Sequence, residues 1–556
     1  MPLKTSPGFK AIFPKSDDTI DDLIKNIPTA ALLTNLAVIS TQIHFSHNEV
    51  DILHLFLRRI PHDELISIKQ RISKFEKEQE TGITLFSEFY ITEFMVYALQ
   101  FSNDRLEDTT PEEDLKIFKA YLLIVNKTLK ELDDVMQGVK VNSDHSFNSL
   151  SWPYMTKQFQ FNQRPQEIFQ SIRTLVLLDE LKKDYDAKLL LNKFEEEIHM
   201  TCEDYVYNLM NIARLNKTRE MDGFDVNLFF VSVKENMHHF LNHLRLNVLE
   251  IIKEKNYNKD YLAIKKYPLL GYKEYNFIVL NWNFLKNKIY NGFIFDIYYR
   301  AQLNKVYSGF ENFKSFIGKR ISEERIFMPI MSAIYSMKHK VFQFGKEDGQ
   351  PDAYLRERNK IFLFEFKDNL MPSSIVESYD FDQINHEVDK KFVQNDRGKP
   401  KGVMQLINQI HYLNETSYKF DDFEIKKLKR NRIEIYPIII YTDFSYSLPG
   451  INNYLTGIFK SNLKINKFKA IHDPVMLNLN FLFELLPHLQ TTRLDLLIES
   501  YIKFVREAKA QVEKSLNPND WFKANLSFEF AVPFKKIKKN TNIKEFISLP
   551  EILGLK

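Results

Sequence analysis

A chain of 556 residues is too long to fold around one hydrophobic core, so two to four domains are expected. Its hydrophobic fraction of 44% and charged fraction of 27% are those of a soluble globular protein, and a net charge of +3 excludes a chain-wide basic surface, so any phosphate-binding surface must be local. Cys202 is the only cysteine, which excludes an intrachain disulfide and a cysteine-based zinc site and points to a reducing compartment.

The first residues, MPLKTSPGFKAIFPK, lack an apolar signal core, and AALLTNLAVI further on is too short and too polar to span a bilayer. A cytoplasmic protein with no membrane partner is expected. From Asp17 to about Lys255 the chain reads as helix after helix. Thr110-Pro111-Glu112-Glu113 marks one start, with a Thr cap, Pro at the first helical position and Glu at the third. Further helices are expected at His62–Glu78, Phe86–Gln100, Gln166–Asp184, Leu189–Ala213 and Val231–Lys255. His239 and His243 have the i, i+4 spacing of a metal-chelating pair, but no third ligand accompanies them and a packing role is preferred. The stretch Tyr267–Ile297 changes character, with β-rich runs at Asn276–Asn281 and Phe293–Ile297, and reads as a connector.

Helix Asn312–Met337 follows, with Phe316, Ile326, Phe327, Ile330 and Ile334 on one face, then a strand at Lys340–Gly345. Next comes QPDAYLRERNKIFLFEFKDN, Gln350–Asn369, which reads as two strands joined at Glu357–Lys360, with Asn359 available for an unusual turn conformation. Twelve residues separate Asp352 from Glu365, so a tight hairpin sets the two carboxylates side by side, and Lys367 points the same way as Glu365. Two carboxylates at one point suit a hard divalent cation, and an ammonium beside them can orient a nucleophilic water. Ser373–Phe392 and Gly402–Leu413 read as helices and Ile433–Thr442 as a fourth strand, where Pro437 implies an edge position or a bulge. Gly450–Lys460 and Arg493–Ser515 are expected to be helical, Lys464–Ala470 extended, and the LSFEFAVPF tail a strand.

Pro351-Asp352 followed by Glu365-Phe366-Lys367, inside a helix, three strands, helices and a fourth strand, resembles the PD-(D/E)xK nuclease superfamily, the restriction-endonuclease-like fold, over roughly Gly309–Phe459. The resemblance implies an αβββαβ core, Mg²⁺ or Mn²⁺ as cofactor and DNA rather than RNA as substrate, with Asp352, Glu365 and Lys367 catalytic. It also implies a metal-site glutamate from the first helix, for which Glu323 is preferred over Glu324, and a polar residue on the later helix, for which Gln405 is the candidate. Lys391 and Lys401 are candidate phosphate contacts. So are the two densest basic stretches, Lys426, Lys427, Lys429, Arg430 and Arg432, and Lys535, Lys536, Lys538 and Lys539.

The expected fold class is α+β multidomain. An all-α domain, read as a sensor or partner-binding region, covers 1–255, a connector with short strands 256–308, the nuclease-like domain 309–460 and a mixed α/β extension 461–556. The expected function is metal-dependent hydrolysis of phosphodiester bonds in microbial defence, with a homo-oligomer or a defence-system protein as a further partner. A catalytically silent nuclease-like binding module and a helical interaction protein are the alternatives. No GxxxxGK[ST] occurs, so no ATP-driven motor is indicated.

Overall fold

The computed structural model describes residues 6–79, 82–101, 103, 105, 107–138, 146–162, 167–215, 218–221, 224–227, 229–253, 260–272, 275–336, 340–464, 467–490, 492–514 and 549–555. The expected tail strand and Lys535, Lys536, Lys538 and Lys539 lie outside the described residues. Two compact units form, one from Pro2–Asp134 with Phe161–Tyr307 and one from Val135–Gln160 with Ser308–Lys556. In this division 256–307 goes with the helical unit and 461–556 with the sheet-bearing unit, whereas sequence reading set each of them apart. No described helix is long and apolar enough to cross a membrane.

The helical unit is built as its caps dictate. Thr110 Oγ1 accepts the Glu113 N–H while Glu113 accepts the Thr110 N–H, the reciprocal bonds expected from the sequence, and the helix Pro111–Gly138 follows. Three expectations are corrected here. Leu189–Ala213 is two helices, Tyr185–Ile198 and Cys202–Ala213, because His199 turns left-handed (φ 54°) and Thr201 caps a new start through the Asp204 N–H. Phe293–Ile297 is helical, within Asn291–Tyr299, and its buried apolar residues Phe293, Ile294, Ile297 and Tyr298 fall on one helical face, so packing overrides β propensity. The unit is not all-α: Phe230–Ser232, Leu269–Gly271 and Asn276–Val279 form a three-stranded sheet, and Thr218–Met221 pairs with Phe224–Asn227.

In the sheet-bearing unit the elements are α1 (Phe310–Phe316), a π-helical segment (Ile317–Phe327), α2 (Met328–Tyr335), β1 (Val341–Phe344), β2 (Ala353–Glu357) and β3 (Lys360–Lys367). They continue with α3 (Phe381–Phe392), α4 (Gly402–Glu415), β4 (Glu434–Tyr441), α5 (Ile451–Asn462), β5 (Ala470–Ile471) and β6 (Val475–Asn478). Helices Leu479–Leu489 and Leu494–Glu513 follow. The sheet runs β5-β4-β3-β2-β1, with β6 also on β4; β1, β2 and β3 are antiparallel and β3, β4, β5 and β6 parallel.

β3 is continuously apolar from Ile361 to Phe364 because both of its faces are covered. Ile361 and Leu363 join a core with Val403, Leu406 and Ile410 of α4. On the other face Phe366 stacks on Phe327 at 4.8 Å and Phe364 meets Tyr335 at 6.3 Å.

Pro437 lies in a central strand without a bulge, contrary to expectation, in register with Leu363. Ile435 O accepts from His472 on the β5 side, so the main-chain groups of Ile435 and Pro437 face that side. There β5 pairs only to Ile435 and β6 begins at Ile438. The missing donor therefore falls at the break between two short partner strands. The hairpin turn is also corrected, since Arg358 rather than Asn359 takes the left-handed conformation (φ 55°). Ser373–Phe392 is broken at Glu377–Asp380, where Tyr379 has φ 52° and Asp380 caps α3.

Candidate active site

The hairpin register places Ala353 opposite Phe364, and one residue further Asp352 reaches across to accept the Phe366 N–H through Oδ2 at 2.6 Å. Glu365 projects to the α4 face and is fully buried, at 0% exposure. Lys367, two residues on and so on the same face, donates to Glu365 Oε2 at 2.7 Å and lies 3.9 Å from Asp352 Oδ2. Asp352, Glu365 and Lys367 are thus brought together at the carboxyl end of β3.

The electrostatics follow from burial and from an excess of carboxylates. Burial, then the Asp352 charge, push Glu323 up from 4.5 to about 7, with Lys367 acting against them, so the π-helical segment carries Glu323 to the site. Glu324 pairs with Arg320 instead. Burial also raises Glu365, against the pull of Lys367. Lys367 itself is disfavoured by burial, but Glu365 and Asp352 outweigh that and hold its ammonium above the ordinary value.

Gln405 is displaced from its expected role. Its Oε1 accepts the Gly402 N–H at 2.9 Å, a bond that closes the start of α4. Gln409, one turn on, donates to Glu365 Oε1 and is itself buried. The sequence offered a signal for this. Two glutamines four apart share a face, and the one in the first turn is available to cap. Gly402 fixes where α4 begins, because at φ 41° a Cβ would stand 2.7 Å from Phe392 O.

Lys401, at the same helix start, is lowered by burial and by the nearby Lys367 and Lys399 charges. Lys401 also feels the Glu365 charge and so stands beside the site carboxylates, while Lys391 acts on Lys401 and pairs with Glu387 at 3.5 Å. The other basic stretch does not. Arg430 donates to Leu413 O near the far end of α4, about 18 Å along that helix from Lys401. Lys426 pairs with Asp422, and Lys427 and Lys429 are exposed in the same segment leading to the start of β4.

Asp368, one residue past β3, is one of the charges that end the motif strand, but sequence reading assigns it no role. It accepts from Lys314 at 2.8 Å, Ser322 at 3.0 Å and Thr442 at 2.5 Å, and a Cβ on Gly318 would sit 3.4 Å from its Oδ2. This buried carboxylate ties α1 and the π-helical segment to the ends of β3 and β4, and so fixes the segment that carries Glu323. Asp368→Ala is expected to cost about 3 kcal/mol in urea denaturation, from the loss of a buried carboxylate that holds Lys314, Ser322 and Thr442. A loss below about 1 kcal/mol would show that the clamp is dispensable.

The histidine pair separates. His239 lies against His199 at 4.5 Å, while His243 sits 3.5 Å from Glu197. Among the described residues, the set of three ligand atoms lying within 4.8 Å of one another is Glu434, His472 and Glu499. It lies at the opposite end of the sheet, beside Lys360, about 17 Å along β3 from Glu365. Lys360 reaches Asp495 at 2.5 Å and Glu499 at 3.0 Å, and Lys469 reaches Glu434 at 2.6 Å, so ammonium groups already neutralise it.

Fold and site define an α+β protein with a carboxylate, lysine and amide cluster at one end of a mixed sheet. Comparison of the chain with family models, with curated proteins and with solved structures finds no match.

Proposed function

We propose that the chain is a metal-dependent nuclease that hydrolyses phosphodiester bonds, with DNA as the substrate. The observation that carries this reading is the convergence of Asp352, Glu365 and Lys367 at the end of β3. Helix, three antiparallel strands, helices and a parallel fourth strand surround it in the order that the PD-(D/E)xK resemblance implies.

The donor set suits a hard divalent cation. Two carboxylates face one ammonium, and Glu323, raised by burial and by Asp352, adds a third carboxylate that forms no ion pair of its own among the described residues. Asp352, Glu365 and Glu323 would hold Mg²⁺ or Mn²⁺. When bound, the cation supplies charge neutralisation at the phosphoryl oxygens and lowers the pKa of bound water. The residues of the chain do the rest. Gln409 fixes the Glu365 carboxylate, Lys367 orients the attacking water, and Lys401 and Lys391 position the phosphate backbone as point charges.

The test is incubation of the purified protein with supercoiled, linear and single-stranded DNA and with RNA, in Mg²⁺, Mn²⁺ or EDTA, alongside Asp352→Asn. Cleavage that EDTA and the variant both remove is the expected outcome. Cleavage that survives in EDTA, or none with any substrate, counts against the reading.

Metal binding should also depend on pH with a defined sign. Because the folded-state value of Glu323, about 7, lies above the ordinary 4.5, its proton stabilises the fold fully below about 4.5, and that contribution is lost as pH rises through about 7. A cation displaces this proton, so affinity should climb by about tenfold per pH unit up to neutrality. Thermal melts with Mn²⁺ and with EDTA should therefore differ more at about pH 8 than at about pH 5.5. A difference independent of pH would remove Glu323 from the ligand set.

A further inference from the structure

The helical unit holds a cavity of about 520 Å³ that plays no part in the proposed cleavage. Three of its lining side chains, Arg245, Lys266 and Arg300, are cations from three separate segments, and none forms an ion pair with a carboxylate among the described residues.

Each cation is held where it stands. The backbone at Arg245 is bridged to Leu269, with Leu246 N donating to Leu269 O at 2.6 Å and Leu269 N to Leu244 O at 3.1 Å. The Arg245 side chain lies across Gly271, where a Cβ would meet its Cδ at 3.2 Å. Arg300 donates to His243 O at 2.9 Å and stands 5.3 Å from the Tyr267 ring centre, with Lys266 5.1 Å from the same ring. Burial raises the Tyr267 hydroxyl, but hydrogen bonding by Arg300 and Lys266, and then their charges, outweigh it and hold it below its ordinary value. Glu250 and Asp260 are the carboxylates of the lining.

We propose that this cavity binds a phosphorylated small molecule of nucleotide size, its phosphates on Arg245, Lys266 and Arg300 and its hydroxyls donating to Glu250 or Asp260. The volume is that of a nucleotide-sized pocket. Guanidinium and ammonium groups without carboxylate partners are the phosphate-recognition set. Three cations converging in one cavity differ from the track of charges that an extended nucleic acid needs.

The experiment is calorimetric titration of the full-length protein, in EDTA, with pyrophosphate, ATP, adenosine and a short single-stranded oligonucleotide. Each is repeated with Arg245→Glu/Lys266→Glu, both exposed positions, after a circular dichroism melt has established folding. Pyrophosphate and ATP should bind, adenosine should not, and the double charge reversal should weaken binding at least about tenfold. The proposal is overturned if neither anion binds, if the variant binds them as the wild type does, or if the oligonucleotide binds more tightly through the same two residues. Should the double variant unfold, Arg245→Gln gives the same comparison. The outcome is independent of the nuclease reading, since no metal and no cleavage enter the measurement.

Discussion

Lys367→Ala is expected to lower metal-dependent cleavage by about 10³-fold or more while leaving the chain folded. The loss follows from position, since the ammonium stands 2.7 Å from Glu365 and 3.9 Å from Asp352 and no other described cation has both distances. Removing a cation from beside a buried carboxylate commonly unfolds a protein, because the remaining charge has no partner. Here Glu365 is already raised by burial, so in the variant it takes up a proton and remains bonded to Gln409 as a neutral acid. Activity and stability should therefore separate. Gel assays should show no cleavage while the urea midpoint moves by less than about 1 M. A variant that cuts at the wild-type rate would remove Lys367 from the chemistry. Equal loss of fold and activity would make it a structural ion-pair partner only.

Arg356→Met is expected to show the opposite pattern, a large loss of stability of about 3 to 5 kcal/mol. Arg356 lies within β2 with its side chain 3% exposed. It pairs with Asp421, whose side chain is 1% exposed, and with Asp422. Tyr354 donates to the same Asp421 at 2.5 Å, and the third Arg356 nitrogen, Nη1, donates to Arg358 O at 3.2 Å, which steadies the residue that turns the hairpin left-handed. Methionine keeps the volume and strands the aspartate. Adding Asp421→Asn should recover a substantial part of the loss, which the full double-mutant cycle measures. Without recovery, the destabilisation would belong to lost packing of the Arg356 stem rather than to the uncompensated carboxylate. Cleavage should fall in step with stability, because this hairpin alone sets Asp352 opposite Glu365.

Local chemistry made much of the sheet-bearing unit legible before any coordinates. An apolar strand ending in Glu365 and Lys367 and a period of two along β3 are each decided within a few residues, so the hairpin and its two same-facing charges could be read directly. Pro437 was misread because the rule concerns donors in a ladder, and whether a donor is needed depends on where β5 stops and β6 starts, some 35 residues on. Phe293–Ile297 was misread because its residue types favour a strand while the burial available to them is helical.

The sequence by itself determined the motif hairpin, the order of elements around it and the identities of Asp352, Glu365 and Lys367, since all three lie on one short element whose geometry is local. Only the tertiary structure decided that Gln409 rather than Gln405 meets Glu365, that Asp368 clamps the helix carrying Glu323, and that Arg245, Lys266 and Arg300 line one cavity. These depend on where one element ends against another, on the Gly402 approach to Phe392 and on the Leu269 pairing with the Arg245 segment. Such contacts join residues far apart in the chain, and no local period records them.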